Sequence, residues 1–161
     1  MSERFRFRFR VRYNECDAQL VVFNARYADY VDLAMTEFMR SLGRDYKALL
    51  ARGLDNQVVK MTLEWQAPAR FDDVIDVHVR TLKVGNSSFT LEHELVKAED
   101  GTTLCRAEVV YVLMTTEPFE KTTVPDDLRA ALLEGDLSGV AYCGAGVGLV
   151  SEIRPAEEVV R

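Results

Sequence analysis

An α+β fold, with a five-stranded antiparallel sheet curled around one long central helix, is what this sequence predicts. Three observations carry that expectation. The chain opens with a strictly alternating segment, continues into a single long amphipathic stretch, and then runs through four strand-like segments with short connections. Consecutive antiparallel strands with one segregated helix make an α+β architecture, and the sheet buries its apolar face by curling around that helix.

The first strand is the cleanest local signal. Phe5, Phe7, Phe9, Val11 and Tyr13 alternate with Arg4, Arg6, Arg8, Arg10 and Arg12. Successive strand side chains point to opposite faces, so the segment has an apolar inner face and an arginine outer face. That row is read as a solvated face or a guarded edge, because charge runs seldom mark a site. The rival readings are phosphate binding and docking of an acidic partner surface.

A loop over residues 14–24 follows, then a helix over 25–42. Tyr27, Tyr30, Val31, Ala34, Phe38 and Leu42 recur at helical spacing, opposite Asp29, Asp32, Thr36 and Arg40. Asn24 suits the N-cap and Gly43 ends the helix. A shorter helix over 45–52 closes at Gly53. Strands are expected over 58–66, 72–84, 87–97 and 103–115. Ala67-Pro68-Ala69, Val84-Gly85-Asn86 and Glu99-Asp100-Gly101 break them apart. Pro125 opens a last short helix over 125–133.

Composition bounds the function. The chain has 161 residues, 48% hydrophobic and 29% charged, with a formal net charge of -6. One domain over 1–135 and a C-terminal extension over 136–161 account for that length. The acidic balance argues against general nucleic-acid binding. No apolar run approaches the ~20 residues that cross a bilayer, and the start has no signal layout. A soluble, cytoplasmic protein is expected. Cys16, Cys105 and Cys143 are odd in number and scattered, and His78 and His93 form no metal spacing with them. No metal and no disulfide framework are expected. Five of the nine glycines lie between Gly135 and Gly148, without the spacing or βαβ setting of a nucleotide loop.

The chemistry concentrates between Tyr13 and Tyr27. Asp17 lies in a loop a few residues before the start of the long helix, where free backbone N–H groups favour negative charge. An acyl carbonyl placed there gains stabilisation of its developing oxyanion. The carboxylate could attack that carbonyl or deprotonate a water beside it. A thiol, with a pKa near ~8.5, leaves without a strong general acid, so a carboxylate without a histidine suits thioesters better than amides.

At these residues the sequence resembles the 4-hydroxybenzoyl-CoA thioesterase family of hotdog proteins. Tyr13, Asp17, Val21, Val22, Phe23, Asn24 and Tyr27 match its pattern in register. Pro68, Asp72-Asp73, Ser87-Ser88-Phe89, Asp100-Gly101 and Pro125 follow in the family's order. The resemblance spans residues 4–133. It implies a hotdog fold, subunits paired edge to edge as a homodimer or homotetramer, and acyl-CoA bound between them. It further implies Asp17 as nucleophile or general base and the backbone N–H near Asn24 as donor to the carbonyl. Tyr13, Phe23, Tyr27, Ser87 and Ser88 are the residues expected to meet substrate. No cofactor is called for, since coenzyme A enters as part of the substrate. The chain departs from the pattern at Leu20, where the family usually has glycine, and at Asn24, where many members have histidine. If position 20 needs a left-handed backbone, leucine costs about 1–2 kcal/mol there.

Each candidate has a plainer reading. Asp17 can cap a turn, Tyr13 and Tyr27 can fill core, and Cys16 can be a small buried hydrophobe. Glu37, near the buried face of the helix, is the reserve carboxylate. His78 and His93 sit in strand patterns and are read as structural. The expected function is hydrolysis of an acyl-CoA thioester to free acid and coenzyme A. The alternative is a hotdog protein that binds acyl thioesters or small ligands without turnover.

Overall fold

The computed structural model describes residues 5–135 and the backbone of residues 140–142. Strand β1 (Arg6–Arg10) leads through a short 3-10 turn (Tyr13–Glu15) and a loop into helix α1 (Arg26–Ser41). Helix α2 (Tyr46–Ala51) follows, then β2 (Leu54–Trp65), β3 (Val74–Val84), β4 (Ser88–Lys97), β5 (Thr103–Thr115), helix α3 (Asp126–Glu134) and β6 (Val140–Tyr142). The sheet order is β2-β5-β4-β3-β1-β6.

The five antiparallel strands and the central helix match the expectation. A sixth strand, β6, runs parallel to β1 with Arg6 opposite Val140 and Arg8 opposite Tyr142. It belongs to the stretch read as an extension; the glycine run from Gly144 to Gly148 lies outside the described residues. One element begins earlier than its local pattern indicates. β2 starts at Leu54 because Leu54, Asp55, Asn56 and Gln57 pair with Thr115, Met114, Leu113 and Val112 of β5. Partner strands, not hydrophobic alternation, extend it.

The core lies between α1 and the concave face of the sheet. Tyr27, Tyr30, Val31, Ala34, Met35, Phe38 and Met39 of α1 are buried against Phe5, Phe7 and Phe9 of β1, Phe89, Leu91 and Leu95 of β4, and Val109, Tyr111 and Leu113 of β5. Phe9 and Tyr30 stand with ring centroids 4.3 Å apart, and Phe5 meets Phe38 edge-on at 5.3 Å. Such aromatic contacts add to the area they bury. Gly43, at φ +67, ends α1, with the Arg44 N–H returning to the Met39 carbonyl at 2.9 Å. A left-handed residue closing a helix this way is most often glycine, which has no Cβ to clash. Asp45 caps α2, its carboxylate accepting the Ala48 N–H at 2.8 Å.

The outer arginine row is taken up largely within the chain. Arg8 meets the buried Asp76 of β3 through two hydrogen bonds of 2.7 Å, and Arg6 lies 3.7 Å from the same carboxylate. Arg10 pairs with Asp72 at 3.3 Å and Arg12 with Glu15 at 3.0 Å. The row is thus a charged face tied down by ion pairs, and β1, lying between β3 and β6, is not the guarded edge that the sequence also suggested.

Candidate active site

The Asp17 loop is built by a narrow set of backbone contacts. The Asp17 N–H donates to the Val21 carbonyl at 2.9 Å, and the Leu20 N–H donates to the Asp17 carbonyl at 2.9 Å. Asp17 Oδ1 accepts the Gln19 N–H at 2.8 Å. That is the turn-capping role that short acidic side chains commonly take. It employs one oxygen only; among the described residues Oδ2 has no hydrogen-bond partner. The turn thus holds the carboxylate in place and leaves one oxygen open.

Two neighbours anchor the loop to the sheet. Cys16 and Val22 form an antiparallel bridge, as do Val21 and Arg70. The Val22 N–H donates to the Ala69 carbonyl at 2.8 Å, and the Phe23 N–H donates to the Glu15 carbonyl at 2.9 Å. Glu15 is a buried carboxylate that sequence reasoning passed over. It accepts the Arg12 N–H at 2.7 Å and the Arg12 guanidinium at 3.0 Å, closing the turn that leads into Asp17. The signal was present as a carboxylate three residues beyond a turn start, the spacing of a capping box. Beside it, burial pushes the Tyr30 phenol well up, with the Glu15 charge adding to the shift. The Cys16 thiol is also raised, first by desolvation and then by the charges of Glu15, Asp17 and Asp73. A thiol held protonated is a poor nucleophile.

Helix α1 starts later than expected and without side-chain help. Its N-cap is Ala25, with no side-chain hydrogen bond, so Asn24 does not cap it as the sequence led us to expect. The chain enters in a helical turn, with the Arg26 N–H bound to the Phe23 carbonyl at 2.9 Å. No hydrogen bond from the Asn24 or Ala25 N–H occurs among the described residues. Open amides at the end of a helix are a natural place for a negative oxygen.

The other candidates fall in different settings. Tyr13 and Phe23 are exposed on the Asp17 loop, at 79% and 49%. Tyr27 is buried in the core, where its hydroxyl accepts the Ala69 N–H at 3.2 Å and its ring meets Trp65 edge-on. Glu37 sits on α1 in an ion pair with Arg40. Ser87 and Ser88 open β4 at the far end of the sheet, a strand length from the Asp17 loop, or roughly 30 Å at 3.3 Å per residue. One subunit therefore does not bring the two serines to Asp17.

At that far end lies a cavity of about 510 Å3 between α1, α2 and the start of β2. Met35, Met39 and Leu49 form apolar wall, while Asp32, Thr36, Asp55 and Tyr111 supply polar atoms. The Tyr111 hydroxyl is buried without a hydrogen-bond partner, and desolvation raises its pKa. Partial desolvation and then Asp29 raise Asp32. Sequence reasoning assigned Asp32 and Thr36 only to the polar side of α1. Their spacing of one helical turn was the signal that they share a wall. Among the described residues no three His, Cys, Asp or Glu side chains converge as metal ligands would. No helix among them is long and apolar enough to cross a membrane.

The chain is similar to known proteins in sequence and in fold. The sequence pattern of the thioesterase-like superfamily matches residues 11–132. Over 126 residues the chain is 32% identical to the acyl-CoA thioester hydrolase YbgC of Escherichia coli, covering 78% of this chain and 93% of that protein. It is 27% identical over 128 residues to the acyl-CoA thioesterase YbgC of Haemophilus influenzae, covering 79% and 93%. A solved hypothetical protein from Aquifex aeolicus superposes with a TM-score of 0.75 at 26% identity, over 80% of this chain and 98% of that one.

Proposed function

The chain belongs to the thioesterase-like superfamily, and from that membership and the Asp17 loop we propose that it hydrolyses an acyl-CoA thioester to free acid and coenzyme A. The observation that carries the proposal is a carboxylate clamped by its own turn with one oxygen open, on the segment that feeds α1. In this reading the open oxygen attacks the thioester carbonyl or takes a proton from an attacking water. The carbonyl oxygen is received by the open amides at Asn24 and Ala25, aided by the helix dipole. Coenzyme A departs as a thiolate, so no general acid is required; where Asp17 itself attacks, water then hydrolyses the acyl-Asp17 anhydride, releasing the free acid and restoring the carboxylate.

The proposal includes a second copy of the chain. β2 is one of the two edge strands of the described sheet and exposes Val58, Val59 and Trp65. Pairing two β2 edges antiparallel would lay the Asp17 end of one subunit beside the cavity end of its partner. That arrangement offers the acyl group a compartment and joins Ser87 and Ser88 to the site, which a single chain does not. A homodimer is the least assembly that serves, and a tetramer of such dimers serves equally. A cytoplasmic location is part of the same reading.

The test is thiol release from short, long and aromatic acyl-CoAs by the wild type and by Asp17→Asn. We expect turnover by the wild type and a fall in kcat of about 10²-fold or more in the variant, with an unchanged far-ultraviolet spectrum. Full turnover by the variant would remove Asp17 from the reaction. Saturable acyl-CoA binding by the wild type without thiol release would favour the non-catalytic binding role.

A further inference from the structure

Among the described residues two non-glycine residues hold a left-handed backbone, Leu20 at φ 62 and Asp72 at φ 70. Asp72 is of a type that takes this conformation readily, and it is held on both sides by Arg10, through its carbonyl at 3.0 Å and its carboxylate at 3.3 Å. Leu20 has neither advantage. Its Cβ is strained in this region, and its side chain is 73% exposed, so core burial does not offset the cost. Glycine would close the same turn, since the contacts that fix it are the Leu20 N–H and the Asp17 carbonyl at 2.9 Å. A strained residue that gains nothing inside its own subunit directs attention to what meets it from outside.

Resting on the thioesterase reading above, we propose that Leu20 is a specificity-determining residue that packs against the first methylenes of an apolar acyl chain. Its amide donates to the Asp17 carbonyl at 2.9 Å, which puts Leu20 in the same tight turn as the proposed catalytic carboxylate. The exposed aromatic side chains on the same loop, Tyr13 and Phe23, are tied to that turn by backbone bonds through Cys16 and Glu15. Two parts of a bound thioester flank the carbonyl, the acyl chain and the pantetheine arm. The arm carries amides, which lose hydrogen bonds when pressed against apolar side chains. An alkyl chain loses none and gains contact. Leucine in place of glycine therefore favours longer apolar acyl groups over acetyl.

The experiment compares kcat/KM for hexanoyl-CoA and acetyl-CoA in the wild type, Leu20→Ala and Leu20→Gly. Alanine removes the side chain and keeps the strained backbone requirement; glycine removes both. We expect the hexanoyl-to-acetyl ratio to fall about tenfold in each variant, the size of effect that a few methylenes have in an apolar pocket. Leu20→Gly should also melt no lower than the wild type. An unchanged ratio overturns the proposal. So does an equal fall on both substrates, which would place Leu20 against the pantetheine arm, or dissociation of the assembly, which would place it against a partner subunit. A wild type inactive on every acyl-CoA would overturn the thioesterase reading together with this one, whereas the other failures overturn this one alone.

Discussion

The Tyr27 hydroxyl accepts a hydrogen bond from the Ala69 N–H at 3.2 Å, and the Ala69 carbonyl in turn accepts the Val22 N–H at 2.8 Å. One residue between β2 and β3 thereby holds both the first turn of α1 and the end of the Asp17 loop. The loop is positioned by the core, and Tyr27 is a positioning residue that reaches the site through Ala69.

Tyr27→Phe would keep the ring and leave the Ala69 amide buried without a partner. The expected loss of stability is about 1–3 kcal/mol, read as a lower urea midpoint. A reduction in kcat should accompany it, because the same residue holds Val22 through its carbonyl. An unaltered midpoint would show that the bond contributes nothing.

Glu37→Gln should leave kcat within about twofold of the wild type, because the Glu37 carboxylate is engaged with Arg40 on its own helix. A collapse of activity on the acyl-CoA panel would instead make Glu37 the working carboxylate.

His93 projects into the core from β4, between Val79 and Ala107, and neither ring nitrogen has a hydrogen-bond partner. Burial pushes its pKa from 6.5 down to about 3. The unfolded chain takes up a proton near pH 6.5 that the folded chain refuses, so unfolding is favoured as pH falls from 6.5 toward 3. The stability attached to the neutral ring is complete above pH 6.5 and declines below it by up to ~1.4 kcal/mol per pH unit. His93→Leu should lack this component. Urea midpoints of the two proteins at pH 7.5, 6.0 and 5.0 should diverge in favour of the variant on acidification; parallel curves would refute the assignment.

Asp76→Asn would leave Arg8 and Arg6 facing an uncharged amide in a place that is nearly closed to solvent on the carboxylate side. Because water still reaches the half-buried guanidinium groups, the cost is about 1–3 kcal/mol. Differential scanning calorimetry should register a clear drop in Tm. High salt should not reproduce that drop in the wild type, because buried pairs are poorly screened. Equal melting of the two proteins would return the arginine row to a purely solvated role.

Much of the architecture was readable from local pattern. The alternation of β1 and the helical spacing from Tyr27 to Leu42 each report which side of one element is apolar, and the core uses those sides. Gly43 acts through contacts a few residues away, so its role as terminator was legible too, whereas Asp45, read as the first residue of the second helix, is its cap. Asp17 stood out for the same reason, since its neighbours in the chain are its neighbours in the loop.

Other features were settled by residues far apart in sequence. The start of β2 depends on β5, the arginine row on Asp76, and the Asp17 loop on Ala69. The left-handed backbone at Leu20 follows from closing that loop onto the sheet, not from any preference of leucine. Periodicity along a chain records which side of a segment avoids water. It does not record which distant segment supplies the hydrogen bonds, the counter-charge or the turn geometry, and those are decided only when the strands pair around the helix.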